Sequence, residues 1–299
     1  MNIALRPTQD QISRWIEQYV PDKDLFFVTE MGLNRFRAFL DEVLVMPRQE
    51  FKNHAAYTQI QINNSYEIWN ISTNNQFVII AQPSWIMSLP SEFRDELFRL
   101  QIAARRGLII PLSLITDVSM FPAEFIVEEQ NKSYVILQRM MWQQLLYDCK
   151  VHTIEAYAQS WDNWKAIDAP EMLPASLRKY ANSFPSESGA NCLAATLYAI
   201  SMNPEGQEWI IHEWIHPLTF IQSLSYANYS ATTTEELQVG DVVVWVDEAG
   251  NIQHASYHIG DHLFFNKDGQ TFFNPWKIIH LDELKTEWNI YQIRIYRKG

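Results

Sequence analysis

The stretch GDVVVWVDEAGNIQHASYHIGD, residues 240–261, decides the fold class. An apolar run, Asp241 to Val246, stops at the polar turn Asp247 to Asn251, and a second strand pattern follows over His254 to Ile259. Two further strand patterns, His262 to Asn266 and Thr271 to Phe273, are joined by Lys267-Asp268-Gly269-Gln270. Asp-Gly between apolar runs is among the stronger hairpin signals. Upstream, Cys192 to Ile200 is rich in Ala and Leu and reads as a helix. One helix followed by strands joined through short turns is an α+β arrangement with an antiparallel sheet.

Working towards the N-terminus, the rhythm changes. Pro7 to Tyr19 and Leu33 to Leu44 carry apolar residues at helical spacing, whereas Thr58 to Ile62, Tyr66 to Ile71 and Phe77 to Ile80 read as strands of a small antiparallel sheet. A helix is expected from Ser91 to before Gly107, and one or two more between Val135 and Tyr157. The Pro-punctuated segment Asp168 to Pro174 is the expected boundary. It separates an N-terminal domain of mixed helix and strand content, residues 1–172, from a C-terminal domain, residues 173–299.

The composition is that of a folded protein: 47% hydrophobic and 19% charged over 299 residues. A formal charge of −12 and a pI near 5.1 argue against a nucleic-acid binder, which would cluster Lys and Arg against phosphates. Met1 to Asp10 lacks the apolar stretch of a signal peptide, and no run of about 18 apolar residues follows. A cytoplasmic protein without membrane or nucleic-acid partners is the expectation. Cys149 and Cys192 are too few for a disulfide framework and stand in no metal-ligand spacing, and no cofactor is implied.

Cys192 opens its helix directly after the loop Ser186-Glu187-Ser188-Gly189. Free N–H groups and the helix dipole favour a thiolate at such a position. His254 opens the strand after the Asp247 turn and can serve as base. An imidazole base needs a third group to set its tautomer, and the carboxamide of Asn266 can accept the ring N–H.

Asn191-Cys192 on a helix, then Gly240-Asp241 opening an apolar strand, then His254 opening a strand that ends Ile259-Gly260-Asp261, then a polar residue at 266 occur in one order. This order resembles that of the NlpC-type cell-wall peptidases, within the papain-like cysteine hydrolases, and more distantly that of the CHAP amidases. The resemblance covers roughly residues 175–299. It implies a papain-like domain in which a nucleophile helix packs on the sheet, with Cys192 attacking an amide, peptide or isopeptide carbonyl and His254 and Asn266 completing the site. A thioester acyl-enzyme and hydrolysis by water follow from the same resemblance, as does the Cys192 N–H as an oxyanion donor. Acyl transfer is the related outcome.

Two alternatives stand beside this reading. His212-Glu213-Trp214-Ile215-His216 fits the H-E-x-x-H zinc pattern, with Glu235 or Glu236 as a further ligand, although Pro217 disfavours a helix there. The other alternative keeps the fold as a peptide- or protein-binding module without turnover. His258, four residues from His254 on the same strand face, is the alternative base. His54, His152, His262 and His280 have no partner spacing, Cys149 reads as structural, and the tryptophans read as core.

Overall fold

A computed structural model describes residues 1–234 and 236–299. It divides into two compact units, Met1–Gln11 with Ala158–Gly299, and Ile12–Tyr157. Both combine helices with antiparallel sheets, so the chain is α+β. The unit that carries Cys192 is larger than the expected segment 173–299. Strand β1 (Asn2–Ala4) pairs antiparallel with β2 (Lys165–Ile167), Asn2 lying opposite Ile167, so the first residues of the chain belong with the last. A three-residue pairing across such a separation leaves no local signal in the sequence.

In the unit Ile12–Tyr157, a sheet of Asp24–Val28, Phe77–Ala81 and Leu44–Pro47 has Phe77–Ala81 at its centre. The helix Ser91–Ala104 forms as expected, and its buried Gln101 bonds both the N–H and the C=O of Phe27, at 2.7 and 3.2 Å. Other expectations here are corrected. Leu33 to Leu44 is not one helix: Glu30–Arg35, capped by the Thr29 hydroxyl, gives way to a single tight turn, and Leu44 begins a strand. Thr58 to Ile62 and Tyr66 to Ile71 are not strands: Ile60–Ser65 is helical, and residues 66–71 leave it as turns. Tyr66 is fully buried as a plug, its hydroxyl accepting from the Leu25 N–H and donating to the Lys23 carbonyl. Between Val135 and Tyr157, strand Lys132–Ile136 leads into two helices, Arg139–Gln144 and Tyr147–Trp161.

The unit bearing Cys192 is built from α1 (Ala175–Arg178), α2 (Cys192–Ala199), α3 (Pro217–Tyr226), β3 (Tyr229–Thr232), β4 (Val242–Val246), β5 (Ile252–Gly260), β6 (Leu263–Lys267), β7 (Trp276–His280), α4 (Leu281–Glu287) and β8 (Gln292–Lys298). The six strands from β3 onwards form one sheet in the order β7-β6-β5-β4-β8-β3, with every neighbouring pair antiparallel. Central β4 is buried on both faces. Val242, Val244 and Val246 pack with Ala255, Leu193 and Leu197 of the α2 side, while Val243 and Trp245 pack with Phe264, Ile279 and Leu284 of the α4 side. Two covered faces explain why β4 reads as an unbroken apolar run. Each fully buried Val or Leu contributes about 1.5–3 kcal/mol.

Two connections place the site. Between β5 and β6, Asp261 and His262 both take positive φ, 49° and 58°, which is the two-residue turn that matches strand twist. Between β6 and β7, Thr271 to Phe273 is not the expected strand. The Lys267 ammonium gathers the carbonyls of Gly269, Thr271 and Asn274, at 2.8–3.2 Å, and curls those residues into a loop before β7 starts at Trp276. Among the described residues no helix is long and apolar enough to cross a membrane.

Candidate active site

Cys192 is the first residue of α2 because Asn191 caps it: the Asn191 Oδ1 accepts from the Ala194 N–H at 3.0 Å. The other end of that carboxamide donates to the Ile215 carbonyl at 2.8 Å, which lays the 213–216 segment beside the helix start. The β6–β7 loop joins from another side. Gly189 N–H donates to the Gln270 carbonyl, Phe272 N–H to the Ser188 hydroxyl, and the Trp214 indole to the Gln270 side chain at 2.7 Å.

The Cys192 thiol is pushed up to about 11, chiefly by burial. The backbone N–H groups of Ala255 and Leu193, both hydrogen-bonded to the sulfur, and the charge of Lys267 oppose that rise, whereas Asp268 adds to it. The sulfur therefore rests against β5 at the residue next to His254, and it rests there as a neutral thiol.

His254 is fully buried. Its Nε2 lies 2.7 Å from the Asn266 Oδ1, and its ring stacks on Trp288 with centroids 4.3 Å apart and planes 7° from parallel. Burial holds the imidazole below its ordinary pKa, against the opposing pull of Asp268 and the Asn266 hydrogen bond. The remaining nitrogen, Nδ1, is buried and has no hydrogen-bond partner. Strand alternation accounts for this placement. His254 pairs with Trp245 and turns with it towards the α4 side, while Ala255 pairs with Val244 and turns towards α2.

The structure thus joins His254 and Asn266 directly, and it brings Cys192 to the same stretch of β5 without a hydrogen bond between sulfur and imidazole. Four further residues at the site escaped the sequence reading. Asn266 Nδ2 donates to Asp268 at 2.6 Å; Asp268 pairs with Lys277 at 2.7 Å; Lys277 pairs with Asp162 at 3.0 Å; and Trp288 covers the His254 ring. One signal was present. Lys277 interrupts the apolar run Trp276-Lys277-Ile278-Ile279, and a charge inside such a strand needs a buried partner.

Lys267 faces the α2 side and is also fully buried. Burial pushes its amine down to about 7. Its three carbonyl acceptors nevertheless match the three N–H bonds of an ammonium, one more than a neutral amine carries, so the geometry holds the proton on.

The other candidates fall elsewhere. His258 stands about 13 Å along β5 from His254 at strand rise, and its Nδ1 is taken by the Gln238 carbonyl at 2.7 Å. The zinc arrangement is not formed. His212 ends a short 3₁₀ turn and packs on Tyr180 and Trp276, Glu213 is extended, and His216 caps α3 by accepting from the Leu218 N–H, so the two imidazoles share no helix face. Glu236 is exposed, Glu235 lies outside the described residues, and among the described residues no group of three His, Cys, Asp or Glu side chains is placed to hold a metal. His262 and His280 face each other across the sheet end, with ring centroids 6.0 Å apart, and His54 and His152 are exposed on the other unit. Cys149 is buried beside Thr153 there. Comparison of the chain with protein-family models, with curated proteins and with solved structures finds no match.

Proposed function

We propose that the unit bearing Cys192 is a papain-like cysteine hydrolase, similar to the NlpC-type peptidases, that cleaves an amide, peptide or isopeptide bond. The observation that carries this reading is the state of His254: Asn266 holds Nε2, and the other nitrogen, Nδ1, is left buried, unpartnered and one residue from the backbone N–H that touches the Cys192 sulfur. With thiol and imidazole both neutral at rest, Nδ1 takes the thiol proton as the sulfur attacks the substrate carbonyl. The C–N bond then breaks. The imidazolium returns the proton to the departing amine, leaving a thioester on Cys192 that water hydrolyses with His254 again as base. The Cys192 N–H, at the first position of α2 and so without an intrahelical acceptor, serves as an oxyanion donor in this reading. Because His254 turns to the α4 side of β5 while the sulfur lies on the α2 side, this transfer requires a local movement at the start of β5 that brings Nδ1 and the sulfur onto one face as substrate binds.

A second reading, a binding module without turnover, is favoured by one observation: the thiol is pushed up to about 11 and shares no hydrogen bond with the imidazole. A peptide bearing a carbonyl electrophile separates the two. Under the hydrolase reading it modifies Cys192 and not buried Cys149, and His254→Ala abolishes the modification. Equal or absent labelling of both thiols would leave only the binding module.

A further inference from the structure

We propose that Asp268 is a positioning residue of this site: its carboxylate, clamped by Lys277, fixes which way the Asn266 carboxamide faces and thereby keeps the His254 proton on Nε2 and Nδ1 bare. The role of Nδ1 as base rests on the reading above; the tautomer itself does not.

The two ends of a carboxamide are alike in shape and opposite in function. Were Asn266 turned round, its NH₂ would meet His254, and the imidazole would answer by accepting at Nε2 and carrying its proton on Nδ1. That form cannot take a proton from a thiol. An ionised carboxylate only accepts, so Asp268 Oδ1, 2.6 Å from the Asn266 Nδ2, would meet the carboxamide oxygen in the turned arrangement. Asn266 has its amide locked from one end and reads out that lock at the other, 2.7 Å from Nε2.

The lock works only while Asp268 is ionised. Lys277 is the register partner of Asn266 on β7, so the sheet itself places the ammonium, which reaches the second Asp268 oxygen at 2.7 Å. The same ammonium touches Asp162, which follows the helix Tyr147–Trp161 and caps the Trp164 N–H at 2.9 Å. Burial holds the Asp162 carboxyl up against the pull of Lys277, while Lys277 and the Asn266 hydrogen bond outweigh burial and hold Asp268 below the ordinary carboxylate range, which keeps Asp268 charged at neutral pH. The remaining groups that face this cluster are Glu287 at the end of α4, and Lys267 and Cys192 on the α2 side.

The test uses the full chain with ¹⁵N-labelled histidine and reads the two ring nitrogens of His254 by long-range ¹H–¹⁵N correlation between pH 6 and 8, assigned by their loss in His254→Phe. The wild type is expected to carry its proton on Nε2 alone. Asp268→Asn should populate the Nδ1–H form and slow modification of Cys192 by the peptide electrophile by about tenfold or more, as a misassigned imidazole tautomer does in other triads. Asn266→Asp combined with Asp268→Asn moves the carboxylate to a position with no wrong face. It should restore the Nε2–H form and bring the rate back to within about threefold of wild type. A purely structural role for Asp268 would leave the tautomer unmoved in the single variant. A wild-type imidazole with its proton on Nδ1 overturns the proposal even if Asp268→Asn does not fold. Correct tautomers throughout with Cys192 unreactive would sink the hydrolase reading and leave the positioning role standing.

Discussion

Raising the pH across the range of a half-buried thiol tests the electrostatics of Cys192 directly. With the thiol near 11, about four pH units above neutrality, roughly one Cys192 in ten thousand is ionised at pH 7. An unperturbed cysteine near 8.5 has roughly one in thirty. Iodoacetamide reacts with the thiolate and has no carbonyl for the site to activate, so ionisation alone makes Cys192 about 300-fold slower than a free cysteine at pH 7. Its rate should rise about tenfold per pH unit to pH 10, with no plateau near 8. The measurement is peptide mass spectrometry of timed, quenched reactions in a Cys149→Ala background, so that one thiol is counted. A plateau below pH 8, or a rate at pH 7 equal to that of free cysteine, would mean that a thiolate–imidazolium pair already exists and would refute the neutral resting state. The same raised pKa has a stability consequence. The protonated thiol is favoured by the fold, so its contribution is complete below about 8.5, where the unfolded thiol ionises, and is lost as pH rises towards 11.

Lys277→Met keeps the length of the side chain but leaves Asp162 and Asp268 without their shared cation, and stability measured in urea should fall by about 3–5 kcal/mol. A loss under about 1 kcal/mol would show that the two carboxyls find other partners. In the wild type the Asp268 contribution should be present at neutral pH and lost as pH falls below about 4, because its folded pKa is depressed. Since His212 and His216 share no helix face, a chelator should leave the melting temperature unchanged, and His216→Ala should not alter that. A melting temperature that drops with chelator and recovers with zinc would reinstate the metal reading.

The sequence alone carried the order of Cys192, His254 and Asn266, the helix start at Cys192, the strands β4 and β6, and the α+β class. These depend on local rules: a capping Asn, a two-sided apolar run, and turn residues at fixed offsets. Signals that rest on partners far along the chain were illegible. Tyr66 looks like a strand residue until its hydroxyl is seen bridging Lys23 and Leu25, and Thr271 to Phe273 look like a strand until Lys267 is seen collecting their neighbours' carbonyls. Only the tertiary structure decided that His254 turns away from α2 while Ala255 meets the sulfur, because one residue of register chooses the face of a strand. It alone decided, too, that Asp162, Lys277 and Asp268, spread over more than a hundred residues, meet behind Asn266. Buried charges must be paired, and which charges meet is settled by the packing of the sheet rather than by their spacing in the chain.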